Sequence, residues 1–406
     1  MIDQTENLVR NDLGPPTTCP MCGGSHSKPF FDLREMPVSI GCQWPSAQQA
    51  RTCAKGDINL TLCPQTGFIW NSAFDATAFE YDTRYDNSLD HSPLFRRYAG
   101  DLARRLVETY DLHSKDIIEI GCGKGHFLSL LCQAGDNRGF GFDPSYEKSR
   151  MEARTEIGIS IIADYFSEKY ASISGDLICC RHVLEHIANP VQFLATVRRA
   201  IRSRSNAIVY FEVPNVRFIL NRHSVWDIIY EHCNYFSIES LGSVFAKCGF
   251  EILRLESTYG DQFLGIEARP SQPSENSAPP SEWGDFDELR RSVVGFASTA
   301  QSRFQEWRDR LAGFRTAARK AVIWGAGAKA VGFLNMLQIG DEVPYAVDIN
   351  PYKSGNHLAG TGQRIVPPEF LRVFRPDAVI LMNKIYEEEV AAQLAMLHVD
   401  AEIVHA

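Results

Sequence analysis

Residues 116 to 127 read DIIEIGCGKGHF, an apolar run interrupted by Glu119, then Gly121, Gly123 and Gly125 in alternation, then the start of the stretch FLSLLCQAG. The run has the length and branching of a buried strand, and the stretch after it has the composition and spacing of a helix. The three glycines permit positive φ and let a ligand approach the backbone, while the helix N-terminus offers N–H groups that have no partner within the helix. Glu119 stands two residues before the first glycine, and the next strand-like run, RGFGFDPS, places Asp143 at its end, 22 residues after Gly121. A carboxylate there can accept both hydroxyls of a ribose. Asp164, closing a third run in GISIIADYF, is placed for an adenine amino group. The runs DLICC and NAIVYFEVP follow, with helical stretches between, so the expectation is a parallel sheet covered by helices.

Two kinds of nucleotide ligand suit this turn. A nicotinamide dinucleotide brings a pyrophosphate, which a helix N-terminus neutralises; S-adenosylmethionine brings an ammonium and a sulfonium, which an acid stabilises. Glu119 favours the second. The pattern E-x-G-x-G-x-G resembles motif I of class I methyltransferases. That resemblance implies a methyl-transfer site near the end of the fourth strand, where this chain reads CCRHVLEHIANP, similar to the VLEH segment of many small-molecule methyltransferases. His182 is expected beside the cofactor, and His186 either in the chemistry or as a packing residue.

The rest of the chain bounds this reading. At 406 residues it exceeds one compact core, and 44% hydrophobic with 22% charged residues is ordinary for a folded protein. A net charge of −9 gives no basic footprint for nucleic acid. No apolar run of about 18 residues occurs, and the first residues are polar, so a cytoplasmic protein without membrane contact is expected. Four regions follow: a small N-terminal module (1–78), the nucleotide-binding core (79–270), a linker and long helix (271–319), and a second, C-terminal Rossmann-like α/β unit (320–406). The linker is the Pro- and Ser-rich stretch PSQPSENSAPPSEWGD. The helix is marked by Leu289, Val293, Phe296, Phe304, Trp307, Leu311 and Phe314. Of the 11 cysteines, Cys122, Cys132, Cys179 and Cys180 fall in core runs and read as buried thiols.

In the N-terminal module, Cys19 and Cys22 form C-P-M-C-G-G, a knuckle able to aim two thiolates at one metal, and Cys63 begins a second knuckle whose next cysteine is replaced by Thr66. Structural zinc on Cys19, Cys22 and Cys63 is expected, with Cys53, Cys42 or His26 as candidates for the fourth ligand and unmetallated packing as the alternative. In the C-terminal unit, AVIWGAGAKAVGFL repeats the strand, turn, helix plan with Gly325, Gly327 and Ala330, and Asp348 ends the next strand. This is a second candidate phosphate turn, with Lys329 as a charge partner. NAD(P) binding, or a fold without a ligand, are the alternatives. The loop KSGNHLAGTGQ, with Gly355, His357, Gly360 and Gly362, reads either as a lid over a ligand or as a solvent loop.

Taken together, the chain resembles the three-part sugar C-methyltransferases that act on nucleotide-linked ketodeoxysugars: a zinc-binding head, a class I methyltransferase core and a C-terminal Rossmann-like domain. The segment WDIIYEHCNYFS (226–237) looks like that family's YHEHxSYFS, which implies active-site roles for Glu231 and His232, and more loosely for Tyr85 in YDTRYDNSLDHSP. It implies too that the C-terminal turn helps to hold the nucleotide of the substrate. The family's first Tyr and His are replaced by Ile229 and Tyr230, which puts substrate identity in doubt. C-methylation beside a ketone needs a base, and histidine titrates near neutral pH, so His232 is the candidate base. Glu231 is expected to orient it or bind a substrate hydroxyl, and Tyr230 or Tyr85 to donate to the enolate oxygen. The alternatives are an O- or N-methyltransferase, a cofactor-binding scaffold whose zinc head docks a partner, and a dehydrogenase using the C-terminal turn.

Overall fold

The computed structural model describes residues 17–25, 28–78, 84–86, 88–146, 158–170, 172–201, 206–271 and 284–406. His26 and most of the Pro- and Ser-rich linker lie outside them. The N-terminal head contains β1 (Lys28–Pro37), α1 (Ala47–Arg51), β2 (Lys55–Leu62) and β3 (Ile69–Asn71). Its antiparallel sheet has a fourth strand, β9 (Asn234–Tyr235), supplied from the core at Ile69↔Tyr235 and Trp70↔Asn234. The head is therefore less separate than the boundary at 78 suggests.

The core opens with α2 (Pro93–Tyr110), whose start is fixed by Ser92 accepting from the Phe95 amide and by Pro93 in the first turn. Then follow β4 (Asp116–Ile120), α3 (His126–Gly135), β5 (Arg138–Phe142), β6 (Ile159–Ile162), β7 (Leu177–Arg181), α4 (Pro190–Ile201) and β8 (Ile208–Pro214). After α5 (Val216–Asn221) and α6 (Ile238–Lys247), an antiparallel hairpin of β10 (Phe250–Thr258) and β11 (Phe263–Pro270) completes the sheet. The order is β10-β11-β8-β7-β4-β5-β6, parallel from β6 to β8, with β11 antiparallel to β8. The chain moves outward from β4 to β5 and β6, then returns to β7 on the other side. That reversal opens a crevice at the carboxyl ends of β4 and β7, where open α/β sheets bind ligands. The expected runs become these strands; the β10–β11 hairpin was not among them.

Helix α7 (Phe286–Thr316) is unbroken, and Asp285 caps it by accepting from the amides of Asp287 and Glu288. At 1.5 Å per residue it spans about 46 Å. One face, including Leu289, Val293, Phe296, Phe304, Trp307, Leu311 and Phe314, is buried along its length. Phe296 meets Phe31 of the head edge-on at 5.2 Å, and Trp307 meets Phe333 of the C-terminal unit at 4.9 Å. Burial stabilises by roughly 1.5–3 kcal/mol for each large side chain, so this face fastens the head to the C-terminal unit.

That unit comprises β12 (Ala321–Trp324), α8 (Ala328–Met336), β13 (Tyr345–Val347), β14 (Arg364–Val366), α9 (Leu371–Phe374), β15 (Ala378–Leu381), α10 (Glu387–Leu397) and β16 (Glu402–His405). Its five strands are parallel in the order β14-β13-β12-β15-β16. The loop 353–363 is neither a lid nor a solvent loop: His357 pairs with Trp44, and the Gly360 amide donates to the Ala50 carbonyl at 2.9 Å, so it docks on the head. Among the described residues all eleven cysteines are free thiols, and no helix is long and apolar enough to cross a membrane.

Candidate active site

A cavity of about 780 Å³ occupies the crevice and extends to the first turn of the C-terminal unit. Glu119, Gly121, Gly123 and Asp143 from the core line it, together with Gly325, Gly327, Lys329 and Asp348.

The first wall is the turn after β4. Gly121 has φ 70°, and a Cβ there would lie 2.1 Å from Val183 Cγ2, so only glycine fits. Glu119 is 4% exposed and its Oε2 has no hydrogen-bond partner; burial pushes its pKa up to about 8. A buried carboxyl without a partner is costly, and an ammonium brought by a ligand is the partner it lacks. Asp143 accepts from the Gly123 amide at 2.8 Å through Oδ2 and from the Ser145 amide and hydroxyl at 2.8 and 2.6 Å through Oδ1. Fixed in this way, Asp143 lines the cavity, and a carboxylate there can accept ribose hydroxyls. Asp164 lines the outer end; hydrogen bonds from Lys169 and Tyr170 hold its pKa down at about 2. The donor and acceptor set fits S-adenosylmethionine.

Behind this wall lies a buried network. Arg181 donates from Nε and Nη2 to Oε1 of Glu212 at 3.0 and 2.8 Å, while the hydroxyls of Tyr98 and Tyr210 donate to Oε2. Burial opposes ionisation of Glu212, but Arg181 and His182 outweigh it and hold the carboxyl well below the usual range. His182 sits at φ 56° with Nε2 3.0 Å from Glu212 Oε1 and its ring edge-on to Phe263 at 4.5 Å. The network seats His182 at the cavity edge.

The second wall carries the residues of the VLEH and YEH segments. His186 and His232 stand edge to face at 4.9 Å, and both line the cavity. His186 donates from Nδ1 to the Glu231 carbonyl at 3.0 Å. Burial lowers the pKa of His186 to about 4 and that of His232 well below its ordinary value. Both rings are neutral at pH 7, and burial makes each a weaker base than an exposed imidazole.

Glu231 differs from expectation. Its Oε1 accepts from the amides of Ile40 at 2.6 Å and Gly41 at 3.3 Å, and its Oε2 accepts from the Tyr85 hydroxyl at 3.2 Å. Burial lifts its pKa to about 7. Its carboxyl thus ties the head and Tyr85 into the cavity wall and is not spent on orienting His232. Gly41 makes room for Tyr85, since a Cβ there would lie 2.4 Å from the ring. Tyr230 does not reach the cavity. Its ring packs on Phe74 at 5.4 Å and its hydroxyl accepts from the Asp75 amide at 2.9 Å, so it belongs to the head. The carboxylate that does approach the histidines is Glu185, 1% exposed, with Oε1 4.0 Å from His186 Nε2 and 3.8 Å from His182 Nδ1. Sequence reasoning passed over it, although it lies between His182 and His186, both of which it had singled out.

In the C-terminal turn, Gly325 has φ 98° and Gly327 begins α8 without a side-chain cap. The charges nearby are already matched. Lys329 pairs with Asp227 at 2.9 Å; Asp348 accepts from the Ala326 amide at 2.9 Å and the Asn350 amide at 2.8 Å, with Lys353 Nζ at 3.4 Å.

In the head, ligand atoms of Cys19, Cys22 and Cys63 lie within 4.8 Å of one another, with Cys22 and Cys63 Sγ at 3.6 Å. Thr66, at the position where the second knuckle's next cysteine was expected, has its Oγ1 4.0 Å from Cys19 Sγ. Hydrogen bonds from Cys19 and Thr66 hold the Cys63 thiol below its ordinary pKa. Cys42 and Cys53 lie elsewhere, Cys42 bridging to Tyr85 and Cys53 in the core against the C-terminal unit.

Two family models match the chain. A model of a methyltransferase domain matches residues 91–255, and a model of the C-methyltransferase C-terminal domain matches residues 287–405. The C-methyltransferase NovU of Streptomyces niveus is 24% identical over 300 residues, covering 70% of each chain. Among solved structures, the 1,6-didemethyltoxoflavin-N1-methyltransferase of Burkholderia thailandensis, with S-adenosylhomocysteine bound, is 12% identical at TM-score 0.34, over 44% of this chain and 82% of that one. Human N-acetylserotonin methyltransferase, in complex with S-adenosylmethionine, is 13% identical at TM-score 0.36, over 44% and 55%. With both domain models matched and the Glu119 and Asp143 acids on one cavity wall, the chain is an S-adenosylmethionine-dependent methyltransferase.

Proposed function

We propose that the protein methylates a carbon atom of a nucleotide-linked ketodeoxysugar, with His232 as general base. The observation that carries this reading is the single cavity lined by the acids of the cofactor turn, by His232 and by the turn of the C-terminal unit. The cofactor supplies an electrophilic methyl group on sulfur. His232, neutral through burial, takes the proton from the carbon next to the acceptor's carbonyl. The electron pair left behind forms the new carbon–carbon bond as the bond from methyl to sulfur breaks. Tyr85 lines the same wall with its hydroxyl donated to Glu231, so to stabilise the enolate oxygen it would turn that proton from Glu231 to the substrate, and His186 completes the wall. Gly325, Gly327 and the uncapped start of α8 would face the nucleotide's phosphates, with Lys329 and Asp348 beside them. Cys19, Cys22 and Cys63 would hold a structural zinc ion, their thiol set and spacing being suited to it.

Calorimetric titration of S-adenosylhomocysteine, alone and with a panel of nucleotide sugars, tests the substrate class; tighter binding with one sugar nucleotide is expected. NMR of the product then locates the new methyl group. His232→Asn should leave cofactor affinity intact and lower turnover by at least about a hundredfold; normal turnover removes it as base. A second reading, O- or N-methylation, is favoured by Tyr230: the hydroxyl that C-methylation would use there is buried in the head. A methyl group found on oxygen or nitrogen would select it.

A further inference from the structure

We infer that Glu185, His186 and His232 form a site for a divalent first-row transition cation on the acceptor wall of the cavity. Ligand atoms of the three lie within 4.8 Å of one another, and all three residues line the cavity. The first observation is Glu185: it is 1% exposed, and neither carboxylate oxygen is hydrogen-bonded to another residue. A buried acid left in that state calls for an ion or ligand to complete it. The second is the tautomer of His186. Because its Nδ1 donates to the Glu231 carbonyl, the lone pair is on Nε2, the atom 4.0 Å from Glu185 Oε1. A ring N–H anchored on a backbone carbonyl fixes the tautomer and orients the second nitrogen as a ligand, which is how metal-binding histidines are held. Two ligands each about 2.1 Å from one ion span at most about 4.2 Å, so this pair is within range, and His232, within 4.8 Å of both, would close in on binding. Two imidazoles and one carboxylate form a donor set for such cations, with positions left open toward the cavity.

Glu119 and Asp143 lie on the other wall and keep the cofactor contacts, so the ion and the cofactor need not compete. The ion would, however, engage the lone pair that the base reading gives to His232. Occupancy would then block proton removal, and this consequence alone rests on that reading.

Mn²⁺ is the probe, because it prefers oxygen and nitrogen donors to the thiols of the head. Titration of the full chain, followed by electron paramagnetic resonance of free Mn²⁺, should show one bound ion. Glu185→Gln and His186→Ala should each weaken binding at least about tenfold while circular dichroism and S-adenosylhomocysteine affinity stay unchanged. No binding by the unaltered chain, or equal binding by both variants, overturns the site. So does a Glu185→Gln variant that loses affinity for S-adenosylhomocysteine and keeps Mn²⁺, since Glu185 would then serve the cofactor. Turnover with Mn²⁺ bound separates the two ideas: inhibition agrees with His232 as base, whereas stimulation removes the base reading and leaves the site standing.

Discussion

The molecule contains the strand, glycine turn, helix plan twice, and the two copies differ in how their charges are met. After β4, Glu119 is buried with an oxygen unpartnered, and Asp143 is fixed by its own turn yet open to the cavity. After β12, Lys329 is matched by Asp227, and Asp348 by two amides and Lys353. One turn awaits a cationic, ribose-bearing ligand, and the other has neutralised itself. A shared backbone plan therefore says where a ligand can lie, and the unpaired charges say which ligand belongs there.

The contrast can be broken experimentally. The largest effect is expected from Asp143→Ala: losing two charge-assisted hydrogen bonds at about 1.5–3 kcal/mol each should weaken S-adenosylhomocysteine at least about a hundredfold by calorimetry. Unchanged affinity would remove the ribose assignment. Next is the pH dependence set by Glu119. Its carboxyl must be ionised to meet an ammonium, and its pKa is raised to about 8, so binding should tighten as pH rises from 6 toward 8 and then level off. The slope should approach about tenfold per pH unit. Glu119→Gln should flatten this profile and, at pH 8, bind roughly tenfold more weakly than the unaltered chain; a profile that stays steep would move the titration elsewhere.

A smaller change is expected at the C-terminal turn. If Lys329 stays with Asp227, Lys329→Met should alter nucleotide-sugar affinity by less than about threefold, as partly exposed pairs contribute little. A loss beyond tenfold would mean that the lysine leaves Asp227 for a phosphate, and the contrast between the turns would fail. Smallest of all is Tyr230→Phe, which should cost about 1 kcal/mol in a denaturant titration and leave turnover within about twofold. A collapse in turnover would return Tyr230 to the chemistry.

These residues also mark what could be read without coordinates. The core strands, the cofactor turn and α7 were legible because each is written in a short stretch: a glycine alternation, an acid at a strand end, an apolar face at helical spacing. What escaped depends on partners far along the chain. Nothing local to Lys329 discloses its partner Asp227, and nothing local to Glu231 discloses Ile40 and Gly41, about 190 residues away, which hold its carboxyl. Tyr230 and His232 sit two residues apart, yet one enters the head and the other the cavity. Glu185 was missed for a different reason. Its significance is the lack of a hydrogen bond, and a sequence does not show which acids are left unpaired.

The strand β9 has a consequence for biogenesis. The first three strands of the head leave the ribosome early, but the fourth is residues 234–235 and the helix that covers them ends at Thr316. At about 5–20 residues per second, roughly ten to fifty seconds pass between the emergence of β3 and that of the end of α7. Through that interval the nascent head exposes an unpaired edge and an uncovered apolar face, a target for chaperones and proteases. A fragment ending near residue 78 would retain the same exposed surfaces permanently, so the head should be recovered intact only with the rest of the chain attached.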